Sequence, residues 1–273
     1  MNILIFASAM DKMINIKGRL LTLEEPQVMG ILNVTPDSFY ADSRMVTEEA
    51  IADRVRQIIA EGASIIDIGA CSTRPGSEPV DAEEEMRRLR VGLSIIGREQ
   101  PNAIVSVDTF RPEVARMAVE EYGADIINDV TGGCDEMYRM VSRLRVPYIL
   151  TSVRPTLREL LMTFADQLQQ LRNYGMKDVI LDPGFGFGKT LEQNYALMDQ
   201  LERLAVLELP LLVGISRKSM IYRLLGVDPA EALNGTTALH MMALMKGAHI
   251  LRVHDVKEAV ECCRIYHAIK NQE

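Results

Sequence analysis

Three features of this 273-residue sequence predict an α/β protein folded as one closed (β/α)8 barrel. A short apolar, β-branched run followed by an amphipathic stretch recurs along the whole chain. Polar residues gather at the carboxyl end of nearly every such run. The length also suits a barrel of about 250 residues as a single domain over 1–273, with no linker.

The elements follow in order. Residues 1–10 are apolar but lack the basic start of a secretion signal, so they are expected to form a strand of a short N-terminal hairpin or to be an upstream start. The strand-like runs are then Val28–Val34, Ser64–Gly69, Ala103–Asp108, Asp125–Asp129, Pro147–Thr151, Val179–Asp182, Pro210–Ile215 and His249–Val253. Their near-continuous apolar character implies burial on both faces, as in a parallel sheet covered by helices. Helix-like segments between and after them include Thr47–Ala60, Asp81–Gly97, Pro112–Glu120, Thr156–Tyr174, Pro229–Met245 and Val256–Ile269. Thr47 is expected to cap the first, and Pro112 suits a first helical turn. The competing architecture, an open doubly wound sheet, lacks its G-x-G-x-x-G signature here, and its polar residues would collect at one switch point.

Composition narrows the function. Charged residues are 25 % of the chain, and 30 Lys and Arg against 38 Asp and Glu leave a net charge of −8. That argues against a nucleic-acid binder, which wants a basic face, while an anionic small molecule remains compatible with a few convergent cations. The 4 cysteines form no C-x-x-C pair and no zinc spacing, so free thiols in a reducing cytoplasm are expected. No apolar run reaches the ~18 residues of a membrane span.

In a barrel the strand tips converge on one mouth, where catalysis takes place. Read in order, those tips are Asn33, Asp67, Asp108, Asn128, Thr151-Ser152, Asp182, Ser216-Arg217-Lys218-Ser219 and Arg252-Val253-His254. One Asp at a strand end is usually a turn or cap residue. Several together cannot be buried without a polar ligand or partners. The acceptors Asp108, Asn128 and Asp182 suit a flat heterocycle edged with N–H groups, and Lys218 supplies a complementary donor or else a structural ion pair. Arg252 and His254 alternate on one strand, so they share a face near the last two loops, where barrels often hold phosphate. Two long loops, residues 33–43 and 71–79, follow the first and second strands and read as lids or binding loops. The run Asp182-Pro-Gly-Phe-Gly-Phe187-Gly-Lys189-Thr190 imitates a phosphate loop, but Pro183 stands where that motif requires Gly. It reads as a flexible turn carrying Phe187 over the mouth.

Together these residues resemble the dihydropteroate synthases. The matching motifs are Met29-Gly-Ile-Leu-Asn33-Val-Thr-Pro-Asp37-Ser-Phe39, Asp67-Ile-Gly-Ala-Cys-Ser-Thr73-Arg74-Pro75-Gly76, Ser106-Val-Asp108-Thr109, Ile127-Asn128-Asp129, the Asp182 to Lys189 run, Gly214-Ile-Ser-Arg-Lys218-Ser219 and Arg252-Val-His254-Asp-Val. The resemblance implies a TIM barrel that condenses 6-hydroxymethyl-7,8-dihydropterin pyrophosphate with 4-aminobenzoate in folate biosynthesis. It implies a pterin set of Asp108, Asn128, Asp182 and Lys218. Pyrophosphate falls to Asn33, Arg252 and His254, with Mg2+ on Asn33. Phe39, Thr73, Arg74, Pro75, Phe187 and Ser219 enclose 4-aminobenzoate. Asp108, Asp37, Lys218 and Arg74 are the expected catalytic residues, Asp108 and Asp37 facing a pterin cation. A cytoplasmic homodimer is implied as well, in a family that is the target of sulfonamides.

The sequence departs from the family after the fifth strand. There Thr151-Ser152-Val153-Arg154-Pro155 replaces the usual Met-His-Met run, so one wall of the pterin pocket is expected to differ. Two rivals are a pterin barrel that passes a methyl group from methyltetrahydrofolate to a corrinoid protein and a pterin-binding module without catalysis. The first has no need of the Asn33–Asp37 and Ser72–Gly76 motifs, and the second none of Asn33, Arg252 and His254.

Overall fold

The computed structural model describes residues 12–34, 44–71 and 80–271, with 44–47 as backbone only. It opens with an antiparallel hairpin of β1 (Met13–Ile16) and β2 (Arg19–Thr22). Lys17 and Gly18 both have positive φ, 51° and 85°, the two-residue turn that matches strand twist. The Asn15 side chain braces it by accepting from the Gly18 N–H at 2.7 Å. The hairpin thus lies at 13–22, and residues 1–10 are outside the described residues.

Eight parallel strands follow: β3 (Gln27–Asn33), β4 (Ile65–Gly69), β5 (Ile104–Asp108), β6 (Ile126–Asp129), β7 (Tyr148–Thr151), β8 (Val179–Asp182), β9 (Leu212–Val213) and β10 (Ile250–Val253). Their order is β8-β7-β6-β5-β4-β3-β10-β9. A parallel bridge between Leu181 and Leu211 joins the two ends into a nearly closed barrel. The run 210–215 is expected as a full strand, yet only two residues of it pair as a ladder, flanked by Leu211, which forms a single bridge, and Gly214.

The helices are α1 (Arg44–Ala60), α2 (Ala82–Glu99), α3 (Pro112–Tyr122), α4 (Asp135–Leu144), α5 (Leu157–Asn173), α6 (Leu191–Asp199), α7 (Ser219–Leu225), α8 (Leu233–Met245) and α9 (Val256–Lys270). Their starts carry the expected chemistry. The Asp81 carboxylate accepts from the Glu84 N–H, and Thr156 and Thr190 each form a reciprocal capping box. Pro112 occupies the first turn of α3, where its missing N–H costs nothing. Two expectations fail. α1 begins at Arg44, so Thr47 lies inside its first turn rather than capping it. The segment 229–245 breaks into a short 3-10 turn, Pro229–Glu231, before α8.

Strand alternation sorts the core into two apolar layers. Leu32, Ile66, Ile68, Val107, Ile127, Leu150, Leu181, Val213 and Leu251 pack outward against the helices. Met29, Ile65, Ile126, Ile149, Ile180, Leu212 and Ile250 fill the barrel interior and are plugged from below by Ile14, Ile16 and Leu23 of the hairpin. The plug is fixed by the Lys17–Asp125 ion pair, 2.7 Å, and by the Asn15 N–H donating to Asp178 at 2.9 Å. Two residues further up six of the eight strands the same inward parity yields Asp67, Ser106, Asn128, Thr151, Asp182 and Arg252. The barrel floor is therefore dry, and its next layer is polar.

Candidate active site

The polar layer is one hydrogen-bonded unit centred on Asp67, whose side chain is fully buried. Its Oδ1 accepts from the Ser106 hydroxyl at 2.6 Å. Its Oδ2 accepts from Arg252 Nε at 2.6 Å and from the Asn128 carboxamide nitrogen at 3.2 Å. Arg252 then donates through Nη2 to Asp108 Oδ2 at 2.7 Å. One guanidinium thus spans two carboxylates on β4 and β5, and its pKa is raised by both.

Burial raises the Asp108 carboxyl to about 7, with Asp67 adding like-charge repulsion and Arg252 opposing. Asp182, on β8, is raised too, again by burial and against Lys218. Lys218 moves the other way: burial lowers it to about 8. Its ammonium donates to the Phe185 carbonyl at 2.5 Å and lies 4.3 Å from the centre of the Phe187 ring. No Lys218–carboxylate ion pair is formed among the described residues, so it is held by a carbonyl and a π face instead.

Lys218 is aimed by its neighbour. Arg217 has φ 51°, a left-handed conformation that costs a non-glycine residue strain. Its N–H donates to Thr236 Oγ1 at 3.0 Å, and its guanidinium grips Asp255 through Nε and Nη2, each at 2.9 Å. That strained residue turns the chain from β9 into α7, placing Lys218 at the N-cap position and Ser219 on the first turn.

The segment after β8 is tightly tied down, contrary to the expected flexible turn. Gly184 N–H donates to Asp182 Oδ1 at 2.8 Å, Phe187 N–H to the Gly184 carbonyl at 3.1 Å and Gly186 N–H to Asn194 at 2.7 Å. Lys189, lowered to about 8 by burial, donates to the carbonyls of Gly184 at 2.9 Å and Ser152 at 3.3 Å. Gly184 has φ 65°, and an added Cβ would lie 2.4 Å from the Ser152 carbonyl oxygen. We expect Gly184→Ala to destabilise the chain by roughly 1–3 kcal/mol, read as a fall in the denaturation midpoint.

Asn33 is exposed at the tip of β3. His254 follows β10 and is half-buried. Its N–H donates to Ser216 Oγ at 3.2 Å and its carbonyl accepts from Arg54 at 2.6 Å. The structure thus brings Asp108, Asn128 and Arg252 into one network, with Asp182, Phe187, Lys218 and Ser219 across the same barrel mouth. Asp37, Phe39, Thr73, Arg74 and Pro75 lie outside the described residues. The sequence reading gave no role to Asp67, Ser106, Lys189, Arg217 or Asp255. Asp67 stood among the polar tips and Lys189 in the phosphate-loop lookalike, but nothing local announces the partners each reaches across the barrel.

Comparisons with known proteins place the chain among its relatives. A model of the pterin binding enzyme family matches residues 29–254. Dihydropteroate synthase of Escherichia coli (strain K12) is 40% identical over 271 residues, spanning 92% of this chain and 94% of that protein. The Xanthomonas albilineans dihydropteroate synthase structure with 4-aminobenzoic acid is similar at TM-score 0.87 and 37% identity, covering 95% of this chain and 98% of that one. The Yersinia pestis structure with a pterine–sulfa conjugate follows at TM-score 0.85 and 33% identity, over 96% and 99%. The chain belongs to the pterin-binding enzymes and, within them, to the dihydropteroate synthase family of transferases.

Proposed function

We propose that the chain joins 6-hydroxymethyl-7,8-dihydropterin pyrophosphate to 4-aminobenzoate, releasing pyrophosphate and forming 7,8-dihydropteroate. The observation that carries this reading is the convergence of Asp108, Asn128 and Asp182 with Arg252 and Lys218 at one barrel mouth. The acceptors suit the N–H-rich edge of a pterin, Lys218 suits its ring acceptors, and Arg252 suits its leaving group. The 4-aminobenzoic acid in the Xanthomonas relative and the pterine–sulfa conjugate in the Yersinia relative support both halves of the substrate assignment.

The reaction breaks the C–O bond to pyrophosphate and forms a C–N bond to the arylamine, which then gives up a proton. Asp108 holds negative charge against the positive character developing at the pterin methylene. Arg252 stays charged throughout and, with His254, receives the departing pyrophosphate. Lys218 fixes the ring from the opposite wall. Asp37 and Arg74 remain assigned to the cation and the aminobenzoate, with Phe39, Thr73, Pro75, Phe187 and Ser219 enclosing the latter. Among the described residues no three His, Cys, Asp or Glu group around a metal position. A single exposed amide, Asn33, fits Mg2+, which keeps most of its waters and binds chiefly to substrate phosphate. When bound there it would neutralise charge on the leaving group.

The same reading makes the chain a cytoplasmic homodimer inhibited by sulfonamides. Exposed Leu224 and Leu225 on α7 and Met242 and Met245 on α8 offer an apolar surface for a second copy. Pyrophosphate release on mixing both substrates, with and without Mg2+, tests the proposal. Release must require 4-aminobenzoate; pterin binding without release would overturn it, and methyl transfer to a corrinoid protein would replace it.

A pH dependence follows. kcat/KM reports the free protein. It should rise as Asp108 ionises near pH 7 and fall as Lys218 loses its proton near pH 8. Deprotonation of Lys189, also near 8, loosens the turn after β8 and steepens the alkaline limb. A profile flat between pH 6 and 9 would contradict this assignment.

A further inference from the structure

Among the described residues six buried side-chain atoms lack any hydrogen-bond partner: Asn128 Oδ1, Ser142 Oγ, Thr151 Oγ1, Ser152 Oγ, Gln167 Oε1 and His240 Nε2. Three belong to the helices, Ser142 on α4, Gln167 on α5 and His240 on α8. Ser152 has the outward parity of Tyr148 and Leu150, which pack against the helices. The remaining two are different. Asn128 and Thr151 lie on adjacent strands and share the inward parity of Ile126 and Ile149 in the barrel interior. Thr151 also pairs in register with Asp182 on β8. Thr151 thus sits beside the Asp182 carboxylate and one inward position beyond Ile149, the residue opposite Asn128.

A buried polar atom with no partner carries the full desolvation penalty without a bond in return, so each such atom calls for an explanation. For Asn128 the explanation is partial, since its nitrogen already donates to Asp67 at 3.2 Å. The amide is therefore fixed in one orientation, with its oxygen as the unused acceptor. Thr151 is fixed in another way. Its methyl faces the turn after β8, where even a Cβ added at Gly184 would lie 3.1 Å away, so the hydroxyl points elsewhere. A hydroxyl both donates and accepts, whereas the Asn128 oxygen and the Asp182 carboxylate accept.

We propose that Thr151 is a specificity-determining residue. Its hydroxyl is an additional hydrogen-bonding position for the heterocyclic head group, beside the Asp182 carboxylate and one inward step above the level of Asn128. This inference rests on the reading of the barrel mouth as a pterin site and names a contact in it. Ligand binding supplies the partner that the hydroxyl lacks, and the same holds for Asn128 Oδ1.

The test compares Thr151→Val, which keeps the shape and removes the hydroxyl, with Thr151→Ser, which keeps the hydroxyl. Calorimetric titration with the pterin pyrophosphate should show Kd raised about tenfold in the Val variant and nearly unchanged in the Ser variant. The KM for 4-aminobenzoate should not move, and the denaturation midpoint of the Val variant should be unchanged or higher, because an unsatisfied group has been removed. Wild-type affinity in the Val variant would overturn the inference. So would equal weakening in both variants, which would signal a packing defect, or a destabilised Val variant, which would assign the hydroxyl to the fold. If the wild-type chain releases no pyrophosphate, the proposed reaction itself fails. If it does, and Thr151→Val binds normally, only this inference fails.

Discussion

Asp108→Asn should slow pyrophosphate release about a thousandfold while leaving the denaturation midpoint at pH 8 unchanged or higher. The rate effect follows from charge. A carboxylate about 4 Å from a developing cation contributes about 4 kcal/mol at an effective dielectric of ~20. Each 1.36 kcal/mol is tenfold in rate, so losing that attraction costs roughly three powers of ten. The stability effect runs the other way. Burial raises Asp108 to about 7 in the folded chain, above its ordinary value of 3.8. The stability this group contributes is therefore present below pH 4 and lost as pH rises through 7, so at pH 8 its charge opposes folding. An amide of the same shape removes that cost, and Arg252 keeps its bond to Asp67 at 2.6 Å. Single-turnover pyrophosphate release and a thermal scan at pH 8 measure both effects. An unchanged rate would take Asp108 out of the chemistry, and a collapsed midpoint would make its pairing with Arg252 structural.

Much of this site is legible in the sequence because a barrel reduces a three-dimensional problem to parity and strand order. Once Ile126 and Ile149 are read as interior, Asn128 and Thr151 must face the same way. Asp67, Asp182 and Arg252 follow by the same alternation. What parity does not reveal is pairing. Asp67 and Arg252 are 185 positions apart, yet adjacent through β3 in the closed barrel. The sequence reading placed Arg252 at a phosphate rim but did not show that its Nε and Nη2 also engage Asp67 and Asp108. Local chemistry also misleads where tertiary contacts override it. Thr47 has the composition of a cap, but α1 starts before it. The glycines after β8 read as flexible, but Lys189 and Asn194 fasten that turn from the side. In β9 the apolar run is long while the ladder is short, and Leu211 pairs outside it, in an isolated bridge to Leu181.

The larger stability effect belongs to Asp67. Asp67→Ala should lower stability by about 3–5 kcal/mol, the usual cost of breaking a buried charge pair from one side. It strands three donors at once: the Ser106 hydroxyl, the Asn128 carboxamide nitrogen and Arg252 Nε. Turnover should be lost even at temperatures where the variant stays folded. Arg252 would then have Asp108 as its remaining carboxylate, held at 2.7 Å, and would mask the charge the reaction requires. Asn128 would be free to rotate, so pterin affinity should fall with it. Stability and activity separate in the double variant Asp67→Ala with Arg252→Met. Removing both charges from the barrel interior relieves the unpaired guanidinium, and stability should recover most of the loss. Activity should not recover, since the pyrophosphate has lost its cation and Asn128 its anchor. Chemical denaturation of the three chains beside pyrophosphate release decides the matter. If the double variant regains turnover, the Asp67–Arg252 pair serves only the fold; if it regains stability alone, a charge pair that adds little net stability is kept for catalysis.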